Sequence, residues 1–226
     1  MSGQPGQVVV VGAGPAGMAL AYLLARRGVP VTVLETHHDF ARVFHGEGLQ
    51  RSGIDAFRQM GLGEQFDRVP HTMMRIIEVY SGGRLIVRTD PTGLGRGQAR
   101  LVSQPALLQM LADEAGKHPS FRLDRGVTMR DFLREDDRVV GVRASAADGE
   151  REYRADLVVG ADGRNGATRK HSGLPELSAP QGYDILWLRC RTPPAIPIAR
   201  PRCSRWRRSA WRWPSPRPTV NSRWGS

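Results

Sequence analysis

The 226 residues can bury one full core, and 40% hydrophobic content fits a globular domain rather than a disordered chain. The net charge of +11 would suggest nucleic acid if evenly spread, but residues 191–226 hold nine Arg and no acid, leaving 24 basic and 22 acidic residues in 1–190. No apolar run reaches the ~20 residues of a membrane span, MSGQPGQ lacks the parts of a signal peptide, and Cys190 and Cys203 form no C-x-x-C pair. A cytoplasmic protein is expected, with no metal site, no nucleic-acid partner and no membrane partner.

Val8–Val11 is short and apolar, as one buried strand would be. Gly12, Gly14 and Gly17 follow in G-x-G-x-x-G spacing, and Pro15 sits where a first helical turn tolerates a missing N–H. Met18–Arg27 reads as a helix closed by Gly28, and Val31–Leu34 as a second strand ending at Glu35. Together these form a βαβ nucleotide-binding fingerprint with its acid at the expected distance.

Each residue type has a physical task. Gly12 permits a tight turn, Gly14 lets a pyrophosphate approach the backbone, and Gly17 lets the helix pack closely on the strand. The helix start, Pro15 and Ala16 with it, offers free N–H groups and a partial positive charge to the phosphates. Glu35 can accept from a ribose hydroxyl and would repel a 2′-phosphate. The ligand so described carries an ADP moiety, and FAD and NAD both satisfy it.

Thr36–Gly48 has no periodicity and reads as a loop. Leu49–Met60 reads as a helix, and Met73–Tyr80 with Arg84–Arg88 as a hairpin about Ser81-Gly82-Gly83. Asp90–Gly97 is turn chemistry; a short strand at Ala99–Ser103 and a helix over Pro105–Gly116 follow. Phe121–Leu123 with Val127–Leu133, Arg138–Ser145 and Glu152–Val159 are β-rich and read as a β-meander, whose last strand runs into Gly160-Ala161-Asp162-Gly163.

The run LVVGADGRNGATRK, Leu157–Lys170, resembles the "DG" motif of the FAD-dependent aromatic hydroxylases, the para-hydroxybenzoate hydroxylase-like monooxygenases. With the first fingerprint and the order of elements between, the resemblance covers about residues 7–190. It implies an α/β fold: a Rossmann-like FAD-binding domain over 1–70 and 97–175, with the fingerprint and the meander. It also implies the start of an incomplete β-sheet substrate domain over 71–96 and 176–190.

The same resemblance implies FAD as cofactor, NAD(P)H as co-substrate, and O₂ and an aromatic small molecule as reactants. The hard chemistry would belong to the flavin, so no catalytic acid or base is assigned. His71, His118 and His171 have no partner visible in sequence. Asp162 and Gly163 would lie near the ribityl-phosphate region, with Arg169 holding their loop. Gln104 would reach the ribityl chain, with Arg100 as companion. Arg42 and His45 are the candidates for the cation that relatives place before the Gly46–Gly48 loop; a His there forgoes a permanent charge. Gly166 stands where many relatives have Ser.

Relatives are longer and carry a third flavin motif, a Gly-Asp pair, that nothing after Lys170 resembles. A C-terminally truncated member is therefore expected, holding the first strand of the later sheet at Tyr183–Arg189 and without turnover of its own. From Arg191 the tail holds seven of 16 Pro and four of five Trp, which reads as a disordered end, a shifted reading frame, or a nucleic-acid arm. The functional readings are a flavin monooxygenase, an FAD- or NAD-binding fragment without turnover, and a basic-tailed nucleic-acid module.

Overall fold

The computed structural model describes residues 6–41, 48–74, 76–89 and 99–177, together with the backbone of 210–212. In chain order its elements begin β1 (Val8–Val11), α1 (Pro15–Ala25), β2 (Val31–Glu35), β3 (Gly48–Leu49), α2 (Arg51–Gln59) and α3 (Gly63–Arg68). Next come β4 (His71–Met73), β5 (Ile77–Ser81), β6 (Arg84–Thr89), β7 (Arg100–Val102), α4 (Gln104–Gly116) and β8 (Phe121–Arg125). The remainder are β9 (Thr128–Glu135), β10 (Arg138–Ala146), β11 (Gly149–Arg154), β12 (Leu157–Gly160), α5 (Ala167–His171) and β13 (Ala210–Arg212). They divide into two compact units, Met1–Arg42 with Gln104–Asp184, and Val43–Ser103 with Ile185–Ser226.

The first unit is built on a parallel sheet in the order β12-β1-β2-β8. A parallel strand covered on both faces needs an unbroken apolar run, which is why VVVV has no polar alternation. One face carries Val9, Val11 and Leu34, packed with Val127, Met129, Val142 and Ala144 of the antiparallel meander β11-β10-β9. Val10 and Val33, both 0% exposed, alternate to the opposite face. There α1 presents Met18, Ala21, Tyr22 and Ala25, and α4 presents Leu107, Leu108 and Leu111. Each fully buried Val or Leu side chain contributes roughly 1.5–3 kcal/mol. The result is three layers: helices, parallel sheet, meander.

Two expectations about this unit are corrected. Phe121–Leu123 does not open the meander: β8 pairs in parallel with β2, Val31 opposite Phe121. Gly126, at φ +70, turns the chain between β8 and β9, so the two separate instead of forming a hairpin. The stretch 152–159 is not one strand either. Ala155 donates to the Val140 carbonyl at 2.9 Å and still belongs to the meander side. Asp156 accepts from the Gln7 amide at 2.8 Å, and from there the chain crosses to β1 as β12. Tyr153 Oη donates to Asp124 Oδ2 at 2.8 Å, tying β11 to β8.

The second unit contains the sheets β3-β7-β4 and β13-β5-β6. Phe57 of α2 and Phe66 of α3 stack with centroids 4.8 Å apart. Helix α3 has no signature in the sequence, because Phe66 is its only buried residue and leaves no periodicity to read. The strand expected over 73–80 is two strands. The boundary expected at residue 70 also shifts: Gly48–Leu49 pairs with β7, so 43–70 belongs with the second unit.

The hairpin about Gly82-Gly83 forms as expected. Its strand β6 leaves Leu85, Ile86 and Val87 exposed. Ala210–Arg212 pairs antiparallel with β5, so these three residues of the tail are strand, not disordered chain. The rest of the tail, the turn at Asp90–Gly97 and the strand expected at Tyr183–Arg189 lie outside the described residues. No helix among the described residues is long and apolar enough to cross a membrane.

Candidate functional site

The C-terminal ends of β1, β2 and β12 meet at a cleft of about 630 Å³ in the first unit. Ligand pockets fall within ~300–1,000 Å³. Gly12, Gly14, Pro15, Glu35, Asp162 and Gly163 all line it.

The turn from β1 into α1 has no slack. Gly12 has φ +104, and a Cβ there would lie 2.6 Å from the Ala161 carbonyl oxygen. A Cβ on Gly17 would run into the Gly12 carbonyl oxygen. Gly14 differs: a Cβ on it would meet nothing within 4 Å. Glycine at 14 is therefore not demanded by the protein's own packing, and the space a side chain would fill is left open to a ligand. Met18 N donates to the Gly14 carbonyl at 2.9 Å, and the amides of Ala16 and Gly17 before it have no acceptor among the described residues. Free amides at a helix start favour an anion.

Glu35 is 4% exposed. A buried carboxylate needs donors, and it has them: the Ala13 amide on Oε2 at 2.9 Å and the His37 amide on Oε1 at 3.0 Å. Glu35 thus holds the glycine turn from the neighbouring strand. Glu35 also lines the cleft, where a carboxylate can accept from a ligand hydroxyl.

Across the cleft, β12 enters the loop Ala161–Gly166. Asp162 accepts from the Thr168 amide on Oδ2 at 2.9 Å and from the Thr168 hydroxyl on Oδ1. Contrary to the expectation that Arg169 holds this loop, its guanidinium pairs with Glu176 at 3.0 Å. The DG loop is tied to the end of β1, the Ala161 amide donating to the Val11 carbonyl at 2.7 Å, while the Gly12 amide donates to the Leu34 carbonyl of β2 at 2.8 Å.

Sequence reasoning missed the third wall. Val127, Thr128, Met129 and Arg130 of the β8–β9 turn and β9 line the cleft, with Asn165, Lys170 and His171 from the α5 side. Arg130 Nε donates to Ser145 Oγ at 2.8 Å, and His171 Nδ1 lies 3.3 Å from Asp131 Oδ1. Nothing in the spacing links β9 to the fingerprint; only the docking of the meander brings them together.

Other candidates lie elsewhere. Gln104 opens α4 in the same unit and is not among the cleft-lining residues. Arg100 belongs to the second unit, where it donates to Asp67 at 2.6 Å and stacks over Phe66. That hydrogen bond holds the Asp67 carboxyl below its ordinary value. Arg42 and His45 lie outside the described residues. His71 Nδ1 is 2.8 Å from the Val69 carbonyl, and the His118 ring is tilted against Tyr22 at 6.1 Å.

The FAD binding domain family model matches residues 6–197. The chain is 34% identical over 195 residues to the 6-methylpretetramide 4-monooxygenase of Streptomyces rimosus, covering 82% of this chain and 45% of that one. It is 31% identical over 207 residues to the "Probable NADH-specific resorcinol 4-hydroxylase" of Rhodococcus jostii strain RHA1, covering 87% and 38%. The fold is similar to that of pqsL, described as a probable FAD-dependent monooxygenase of Pseudomonas aeruginosa, with TM-score 0.64, 25% identity, and 77% and 47% covered. The chain spans less than half the length of these relatives. Its cofactor is FAD, and the chain belongs to the FAD-binding domain family of the para-hydroxybenzoate hydroxylase-like flavin monooxygenases.

Proposed function

We propose that this chain supplies the FAD-holding part of an NAD(P)H- and O₂-dependent monooxygenase that hydroxylates an aromatic small molecule. The observation that carries this reading is the open space over Gly14, beside free helix-start amides and between Glu35 and Asp162. A diphosphate joining two hydroxyl-bearing groups fits that order of contacts. Support for oxygen transfer comes from relatives named a 4-monooxygenase and a 4-hydroxylase, and support for NADH and a phenolic ring from the second name.

When bound, FAD supplies the redox chemistry, accepting electrons from NAD(P)H and passing them to O₂. The amides of Ala16 and Gly17 take the diphosphate, Gly14 lets it approach, and Gly12 and Gly17 keep the turn close to the sheet. Glu35 accepts from the adenosine ribose, and Asp162 with Gly163 borders the ribityl-phosphate side. The first unit is the FAD-binding domain in this reading, and the β5–β6 hairpin begins the substrate sheet.

An absorption spectrum of the purified protein tests it. Flavin bands that stay with the protein, and are displaced by added ADP, are expected. NADH consumption on adding simple phenols would assign turnover to this chain as well. A folded, colourless protein that takes up no FAD would overturn the reading, and retained flavin without NAD(P)H oxidation would restrict it to FAD binding.

A further inference from the structure

We propose that Thr168 is a positioning residue for the cofactor: it fixes the Asp162 carboxylate so that this group accepts a hydroxyl of the FAD ribityl chain. The inference rests on the reading of Asp162 as an FAD contact.

Thr168 is 8% exposed, so its hydroxyl must find a partner inside the protein. That partner is Asp162 Oδ1, while the amide of the same residue binds Oδ2. One residue therefore grips both carboxylate oxygens and removes their rotational freedom. A hydroxyl has one proton to give, and here it goes to Asp162; a carboxylate that accepts these two bonds has lone pairs remaining. The cleft then presents an acceptor at a fixed angle, which suits a polyol hydroxyl as donor.

The surrounding glycines serve the same pair. A Cβ on Gly160 would lie 2.5 Å from Thr168 Oγ1, and a Cβ on Gly166 would overlap the Asp162 carboxylate. Neither glycine has a positive φ in this loop, so chain conformation does not call for them. Their bareness makes room for a threonine hydroxyl facing a carboxylate. The absence of a side chain at 166 and the hydroxyl at 168 are two halves of one arrangement.

The distinction from a merely structural role lies in the ligand. ADP reaches the glycine turn and Glu35 but has no ribityl chain. Apo-protein of the full chain is titrated with FAD, read by flavin fluorescence, and with ADP, read by calorimetry. Thr168→Val is expected to weaken FAD about tenfold and to leave ADP within about twofold. Thr168→Ser restores the hydroxyl and is expected to return FAD affinity to within about threefold of the parent. Thr168→Ala is read in the same way should the valine variant not fold.

Unchanged FAD affinity in Thr168→Val, or an equal loss for FAD and ADP, would overturn the proposal. Asp162→Ala separates the two levels of inference. If it weakens FAD while Thr168→Val does not, the positioning role fails and the Asp162 contact stands. If Asp162→Ala leaves FAD binding intact, the underlying contact fails and the positioning role with it.

Discussion

The two loops that face each other across the cleft are both rich in glycine, for opposite reasons. In the turn Gly12–Gly17, the first and last glycines are pressed against backbone: a Cβ on Gly12 would strike the Ala161 carbonyl at 2.6 Å, and one on Gly17 the Gly12 carbonyl. In the loop Gly160–Thr168, the atoms in the way are side chains, Thr168 for Gly160 and Asp162 for Gly166. Backbone held in a parallel sheet cannot retreat, whereas a side chain can turn to another rotamer. A new Cβ in the first loop therefore has no way out, whereas one in the second can be accommodated at the expense of the Asp162–Thr168 contact. Substitutions in the two should differ in cost and in what they damage.

The largest effect is expected at Gly12. Gly12→Ala meets both the carbonyl contact and a φ of +104 that L residues rarely adopt. Unfolding free energy from urea titration should fall by about 3 kcal/mol or more. A loss under about 1 kcal/mol would break the contrast between the loops, because it would mean the backbone can yield.

Gly14→Val sharpens the contrast from the other side. The Cβ it adds would meet nothing within 4 Å, so the urea midpoint should move little. FAD affinity should fall by about a hundredfold, as the diphosphate loses its approach to the amides. A variant that binds FAD normally would place the diphosphate elsewhere. Glu35→Gln comes next. The amide retains one acceptor where the carboxylate has two, so either the Ala13 or the His37 amide loses its partner. A loss of about 1–2 kcal/mol is expected in the same urea titration.

The comparison also explains what could be read from the sequence. Val8–Val11, the glycine spacing and Glu35 were legible because each obeys a local rule, and the same chain segment supplies both the constraint and its answer. The strand-to-loop passage at Leu157–Gly163 was legible for the same reason. What could not be read were contacts made by distant segments. Asp124 belongs to a strand beside β2 only because Gly126 turns the chain away from the meander. Burial alone would raise the Asp124 carboxyl; hydrogen bonds from Arg122 and Tyr153 outweigh it and hold the group below its ordinary value. Nothing in FRLDR foretells Tyr153. Arg130 at the cleft and Arg100 on Asp67 are of the same kind: the residue type was visible, and its partner was not.

The smallest effect is expected at Gly166, and it probes the second loop directly. Gly166 has φ −64 and ψ 149, a conformation open to any residue, and it stands at the N-cap of α5. In Gly166→Ser the new Cβ displaces the Asp162 carboxylate, which loses its bond to the Thr168 hydroxyl, at a cost of about 1 kcal/mol. The serine oxygen in turn can accept from an amide of the first turn of α5, a gain of about 0.5–1 kcal/mol over a residue that caps less well. It can also donate to the turned carboxylate. Stability should therefore stay within about 1 kcal/mol of the parent, while FAD affinity drops by about threefold as the carboxylate angle changes. A stability loss as large as that of Gly12→Ala would show that side chains in this loop are as immovable as the backbone in the other.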